Sequence, residues 1–446
     1  MTLAETVQAQ QPAVLADLSR LVAIDSVSAD AARADRVRSS AEAVVQLLRD
    51  LRCPDVSVVS VEGGQPAVVG RYPAPAGQPT VCLYAHHDVQ PEGDPALWSS
   101  PAFQATQRGD RLFGRGTADD KGGLAVHLAA LRAFDGHPPV GVTLFIEGEE
   151  EIGSPTLSRM LAEHRDLLAA DVFVIADSSN WAVGQPAFTT SLRGLVDCVV
   201  ELSTLDHAVH SGSYGGVVPD ALTSLCRLLG TLHDEHGDVA VPGLATGEAA
   251  ELDYPLDRLR AESGLLDGVE LIGTGTVVQR LWRKPAIAVI ALDATPVDRA
   301  SNTLAPSARA KISLRLAPGD DADRAMRALV QHLHDHAPWG ARVEVTDGEP
   351  NEPSEVRFEG RYAEVARGAF REAWGVEPVF VGQGGSIPMV GDFGQAFPDA
   401  TILVTAVGDP DTRAHGADES LHLGDFAAAC LAEALMLQGF AGLGAA

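Results

Sequence analysis

The sequence predicts an α/β fold, a mostly parallel sheet flanked by helices, interrupted by an inserted α+β domain. Three observations carry this. Apolar runs of five to seven residues alternate with helix-like stretches in the outer parts of the chain, strictly alternating patterns replace them in the middle, and a proline-marked loop closes the middle segment. At 446 residues and 46% hydrophobic content the chain exceeds what one core usually organises, so two domains are expected.

Taken in order, residues 1–25 read as an amphipathic helix and lack the basic start and apolar block of a secretory leader. Thr80 to Ala85, Val142 to Ile146, Val172 to Ala176 and Thr401 to Ala406 read as buried strands. Leu124 to Phe134 and Thr156 to Leu168 have helical spacing between them. Gly194 to Leu202 and Ala308 to Leu316 alternate as half-buried strands do, with a helix at Ala322 to His334. The loop Pro350-Asn351-Glu352-Pro353 then precedes a helix at Tyr362 to Trp374. These boundaries give a first domain in two parts, 1–188 and 355–446, with the insertion at 189–354.

Composition narrows the function. Lys and Arg number 33 against 61 Asp and Glu, a net charge of −28, which repels phosphate backbones and anionic headgroups. Neither nucleic acid nor membrane is expected as a partner, and no apolar run is expected to reach the roughly 18 to 20 residues of a membrane span. The cysteines, Cys53, Cys82, Cys198, Cys226 and Cys430, are odd in number and widely spaced with no CxxC pair. That argues against a disulfide framework or thiolate metal site and for a reducing, cytoplasmic setting.

In open α/β sheets ligands bind beyond the carboxyl ends of the strands. The first run here ends in His86-His87-Asp88, the second in Glu147-Gly148-Glu149-Glu150-Glu151, the third in Asp177, and the fourth leads to a loop with His415 and Glu419. A lone His is more often a core residue and a Glu run a solvated face, but four strand ends carrying such groups together weaken that reading. His86 and Asp88 share one side of an extended chain, so Asp88 can accept the second ring N–H of His86, while His87 faces away. In Gly114 to Gly123, Asp119 or Asp120 either contributes to the site or caps the following helix. His and carboxylate without Cys suit Zn²⁺, Mn²⁺ or Co²⁺. One carboxylate bridging two ions, with Glu150 and Glu151 supplying a base and a ligand, is the pattern of hydrolytic two-metal centres.

The motifs Tyr84-Ala85-His86-His87-Asp88-Val89-Gln90-Pro91, Leu112 to Gly122, Glu147 to Ser154, Asp177, His210-Ser211-Gly212, Gly384-Gly385-Ser386-Ile387-Pro388 and His415 to Glu419 occur in an order that resembles the M20 metallopeptidases, in particular the carnosinase and cytosolic nonspecific dipeptidase branch. The resemblance covers nearly the whole chain. It implies two divalent ions per subunit, Zn²⁺ first with Mn²⁺ or Co²⁺ as alternatives. His86, Asp119 and Asp177 would hold one, and Asp119, Glu151 and His415 the other. Glu150 would be the general base, Asp88 the partner of His86, and Asp177 the mark of the dipeptidase branch. The inserted domain would be a lid and dimerisation domain of a homodimer, with His210 reaching the partner subunit's active site. Asn302, Arg315, Gly384, Gly385 and Ser386 match substrate-contacting positions, Arg315 pairing with a carboxylate.

The resemblance therefore implies hydrolysis of the amide bond of dipeptides or short peptides. N-acyl, N-succinyl or N-carbamoyl amino acids are the alternative substrates for the same site, and a noncatalytic homologue is the reading from another class. His87, Thr117-Ala118, Glu149 and Asp293 depart from the family pattern.

Overall fold

The computed structural model describes residues 1–348, 350–385 and 388–444, which form two compact units. One contains residues 1–190, 356–381 and the described residues from 388 on; the other contains residues 191–355 and the described part of 382–387.

The first unit is built on strands whose residues are buried on both faces, as in Gly141–Glu147, where all seven are. Thr80–His86 runs parallel to Gly141–Glu147 on one side and to Val172–Ile175 on the other, and Thr401–Val404 pairs in parallel with Val172–Ile175. The margins are antiparallel: Asp55–Val59 and Ala67–Tyr72 extend one side, and Ala187–Leu192 meets Thr401–Val404 on the other. This is the expected α/β class, and its parallel centre aims four strand ends the same way. Helices Leu3–Val22, Lys121–Ala133, Gly360–Trp374 and Leu423–Ala441 pack together around Leu18, Leu128, Phe370 and Phe440.

Helix Lys121–Ala133 starts three residues earlier than its periodicity suggests. Gly122 and Gly123 look like breakers, yet a Cβ on Gly122 would lie 2.3 Å from the Thr117 carbonyl, and one on Gly123 would lie 2.5 Å from that of Ala176. The glycines let the helix start press against the strand ends. Helix Leu423–Ala441 corrects a second expectation, because its length and composition would suit a membrane span. It is a core helix of this unit: Glu433 pairs with His127, and Asp425 accepts from Gly184 N–H and the Trp374 indole.

The second unit contains a four-stranded antiparallel sheet in the order Ala286–Asp293, Ser307–Leu316, Gly194–Ser203, Arg342–Asp347. Alternate residues of Gly194–Ser203 are buried, as the sequence pattern predicts. Val196, Val200, Ile312 and Leu314 pack with Leu225 and Leu329 from helices Ala221–Leu229 and Ala322–Asp335, which Asp220 and Asp321 cap.

Candidate metal centre

Five segments of the first unit deliver the site. His86 is the last residue of its strand and fully buried, and its Nε2 lies 3.2 Å from Asp119 Oδ1, 3.9 Å from Glu150 Oε2 and 4.0 Å from Asp177 Oδ2. His415, on an exposed loop, brings its Nε2 to 3.0 Å from Asp119 Oδ2 and 3.3 Å from Glu151 Oε2. The two oxygens of Asp119 are thus divided between two imidazoles, each with its own further carboxylate. Potential ligand atoms of His86, Glu150 and Asp177 lie within 4.8 Å of one another, as do those of His86, Asp119 and Glu151.

Asp119 can face the site because its neighbour takes the structural task. Asp120 Oδ1 caps the helix at Gly123 N–H (3.2 Å), and its Oδ2 accepts the His86 backbone N–H (3.2 Å). Asp88 is fully buried, with Oδ1 accepting Glu150 N–H (3.3 Å) and Oδ2 accepting Glu151 N–H (3.1 Å). His86 Nδ1 lies 3.1 Å from the Asp88 carbonyl and 3.4 Å from its carboxylate, so one residue orients the ring and the turn bearing both acids.

The electrostatics suit a cation. Burial pushes Asp177 up to about 7, and repulsion from Asp119 and Glu151 adds to it. Burial likewise raises Glu150 well above the usual carboxylate range, with Asp177, Glu151 and Asp119 contributing. Hydrogen bonds with Asp119 and Glu151 raise His415 to about 10, while Asp119 stays low because both imidazoles outweigh its burial. Without an ion the cluster is balanced by protons held on the imidazoles and on the raised carboxyls, and its oxygen and imidazole donors fit divalent ions such as Zn²⁺ or Mn²⁺, which would take the place of those protons.

The departures His87 and Glu149 turn away from this cluster. His87 bonds the Pro66 carbonyl through Nε2 (2.9 Å), and burial lowers its pKa to about 4, so it is neutral. Glu149 accepts from Gln65 N–H (3.0 Å) and Thr156 N–H (2.8 Å), tying loops together. Two contributors carried no role in the sequence reading. Gln90 donates its backbone N–H to Glu151 Oε1 (3.0 Å) and its side-chain amide to Oε2 (2.7 Å); its only signal was its place in the His86 motif. Glu419, flagged at its strand end, is fully buried beneath the Asp119 turn.

The remaining sequence candidates belong to the second unit, apart from Ser386, which lies outside the described residues. His210 is exposed on Val209–His210, paired with Thr303–Leu304, and the Asn302 carbonyl accepts Ser211 N–H (2.9 Å), so His210 and Asn302 are neighbours. Arg315 is half-buried on Ser307–Leu316, and Gly384 and Gly385 form an exposed bend.

Residues 82–438 match the peptidase family M20/M25/M40. The chain belongs to the M20 peptidase family. This M20 peptidase is 34% identical over 431 residues to a cysteinylglycine-S-conjugate dipeptidase of Corynebacterium striatum, covering 95% of this chain and 94% of that protein. It is 28% identical over 368 residues to the β-Ala-His dipeptidase of Homo sapiens, covering 77% and 71%. Its fold matches that of human carnosine dipeptidase 1 with a TM-score of 0.81 at 23% identity, over 99% of this chain and 98% of the other.

Proposed function

We propose that this M20 peptidase hydrolyses the amide bond of dipeptides or short peptides at a centre that holds two divalent ions. The division of the Asp119 oxygens between His86 and His415 is the observation that carries this reading. The dipeptidase names of two similar proteins support the substrate class. His86, Asp119 and Asp177 would hold one ion, and Asp119, Glu151 and His415 the other, with Zn²⁺ first and Mn²⁺ or Co²⁺ as alternatives. When bound, the ions supply Lewis-acid chemistry, acidifying water and polarising a carbonyl.

Glu150 takes the proton of the attacking water and returns it to the leaving amine, a role that its raised pKa suits. Asp88 keeps Glu150 and Glu151 in their turn, and Gln90 holds both oxygens of Glu151. Arg315 meets no carboxylate within ion-pair distance among the described residues, which leaves its fork for a substrate carboxylate. Asn302 and the Gly384-Gly385 bend are assigned to the same substrate.

We assign a homodimer through the second unit. Val217 and Val297, 89% and 93% exposed, flank the segments of His210 and Asn302 in sequence, and the edge strand Ala286–Asp293 exposes Val289, Ile290 and Leu292. A second copy would cover such apolar surface, and His210 would stabilise the oxyanion in the partner's site. The five cysteines are all free, which favours a cytoplasmic location.

The test is hydrolysis by metal-stripped protein refilled with Zn²⁺ or Mn²⁺, run on dipeptides and on N-acyl amino acids. Cleavage of dipeptides is expected. Preference for acyl amino acids would move the enzyme to deacylation with the same centre, and silence on both panels would remove the catalytic reading.

A further inference from the structure

Glu419 has no exposed surface, and its carboxylate meets four donors. Oε2 accepts from Arg115 Nη1 (2.7 Å) and Gly116 N–H (3.0 Å), and Oε1 from Ala118 N–H (3.0 Å) and Asp119 N–H (3.1 Å). Its own carbonyl accepts Gly114 N–H (2.9 Å). Three of those carboxylate partners are backbone amides of the turn that ends in Asp119, so one side chain sets the path of that turn.

The same residue closes the loop of His415. Arg115, held by Glu419, also donates to the Gly416 carbonyl (3.1 Å) and the Pro91 carbonyl (3.2 Å). Next to it, Asp418 accepts Ser99 N–H (2.8 Å), and Ser420 N–H bonds the Thr412 carbonyl (2.9 Å). Arg413, His415 and Asp418 have φ of 57°, 63° and 58°, a region that side-chain-bearing residues adopt only when their surroundings compel it. Within the loop Gly416 N–H bonds the Arg413 carbonyl (2.8 Å), and the ties at 416, 418 and 419 anchor that turn to the rest of the unit.

We propose that Glu419 is the positioning residue of the shared ligand pair. It fixes the Asp119 main chain directly and the His415 loop through Arg115, and so sets the span between the two groups that would hold the second ion. The inference rests on the two-ion reading above. Among the described residues the hydrogen bonds of the Glu419 carboxylate go to Arg115, Gly116, Ala118 and Asp119, so it assists binding and catalysis through the ligands it holds.

The experiment is Zn²⁺ titration of metal-stripped wild type and Glu419→Gln by competition with a chromophoric chelator, alongside kinetics and thermal melts. Gln keeps the shape but must turn an NH₂ toward backbone N–H groups that need an acceptor. The expected result is a folded variant in which one ion binds about 10 to 100 times more weakly while the other is little changed. kcat should fall with KM within about threefold, and excess Zn²⁺ should restore part of it. If Glu419→Gln does not fold, Glu419→Asp, which keeps the charge but shortens the reach, is read in the same way.

Folded variants that bind both ions as wild type does would overturn the proposal, whatever their stability. Failure of both variants to fold would also overturn it, because the role would then be maintenance of the fold. Wild type that binds fewer than two ions would remove the two-ion reading itself, a result visible before any variant is compared.

Discussion

Replacing Asp88 with Asn tests how the centre is organised, because it changes one charge and almost no volume. The Asp88 carboxylate is buried, and hydrogen bonding with His86 outweighs that burial and keeps it below the usual range, hence ionised at neutral pH. It accepts the Glu150 and Glu151 amides and lies beside His86 Nδ1. Asn retains one acceptor oxygen, so one amide loses its partner and meets an NH₂ group instead. A hydrogen bond to a charged group contributes about 1.5–3 kcal/mol, and an unsatisfied buried donor costs about 1–3 kcal/mol. Part of that loss appears as lower stability. The part that reaches the ligands should weaken metal binding about 10- to 100-fold, or roughly 1.4–2.7 kcal/mol. Zn²⁺ competition and dipeptide kinetics read the two effects, with denaturant unfolding as the third measurement. Asp88→Asn with unchanged metal affinity and kcat/KM within about threefold would refute the claim that this carboxylate aligns His86 with the acidic turn.

Further expectations separate the neighbouring groups. Glu150→Gln should lower kcat by at least about 100-fold while two ions still bind, and retained turnover would reassign the base. Glu149→Gln should cost about 1–3 kcal/mol in unfolding experiments and leave Zn²⁺ affinity intact, since its partners are Gln65 and Thr156; loss of a tight ion would place it in the centre. Mixed dimers of His210→Ala and Glu150→Gln should recover activity if His210 acts across subunits, and inactive verified mixed dimers would sink that role. His127 faces only acceptors, the Glu433 carboxylate (2.8 Å) and the Tyr84 carbonyl (2.9 Å), so both its nitrogens carry hydrogen. Burial opposes that charge, but Glu433 prevails and raises the His127 pKa above its ordinary 6.5. Its stabilisation is therefore complete below about pH 6.5 and is lost as pH rises through the folded value. Wild type should lose its advantage over His127→Gln/Glu433→Gln in that window, with a slope of up to about 1.4 kcal/mol per pH unit, and a pH-independent difference would count against the charged pair.

The parallel core was legible because its strands are buried on both faces, leaving uninterrupted apolar runs whose ends are marked by the first polar residue. His86, Glu150, Glu151 and Asp177 followed directly from those ends. The strands Thr106–Arg108, Arg111–Phe113 and Ser420–His422 were not legible, since three residues carry too little periodicity to register. Glu419 was visible as an acid at a strand end, but its partners lie about 300 residues earlier and are mostly backbone amides, which no side-chain pattern announces. The start of helix Lys121–Ala133 was misplaced for a related reason: the need for glycine at 122 and 123 comes from carbonyls of other segments.

The run Glu149-Glu150-Glu151 shows where sequence reasoning stops and why. Three identical side chains in succession offer no chemical distinction, so their tasks must come from what each one meets. Glu149 finds two backbone amides and a hydroxyl and is consumed by them. Glu151 has both oxygens bound by Gln90 and faces His415, which suits a fixed ligand. Glu150 has its backbone held by Asp88, while its carboxylate stands near His86, and burial together with Asp177, Glu151 and Asp119 raises its pKa. Asp88 holds the main chains of Glu150 and Glu151 alike, so it is the unequal surroundings of three equal carboxylates that favour Glu150 for the proposed role of general base, which needs a fixed main chain and a side chain left to accept a proton.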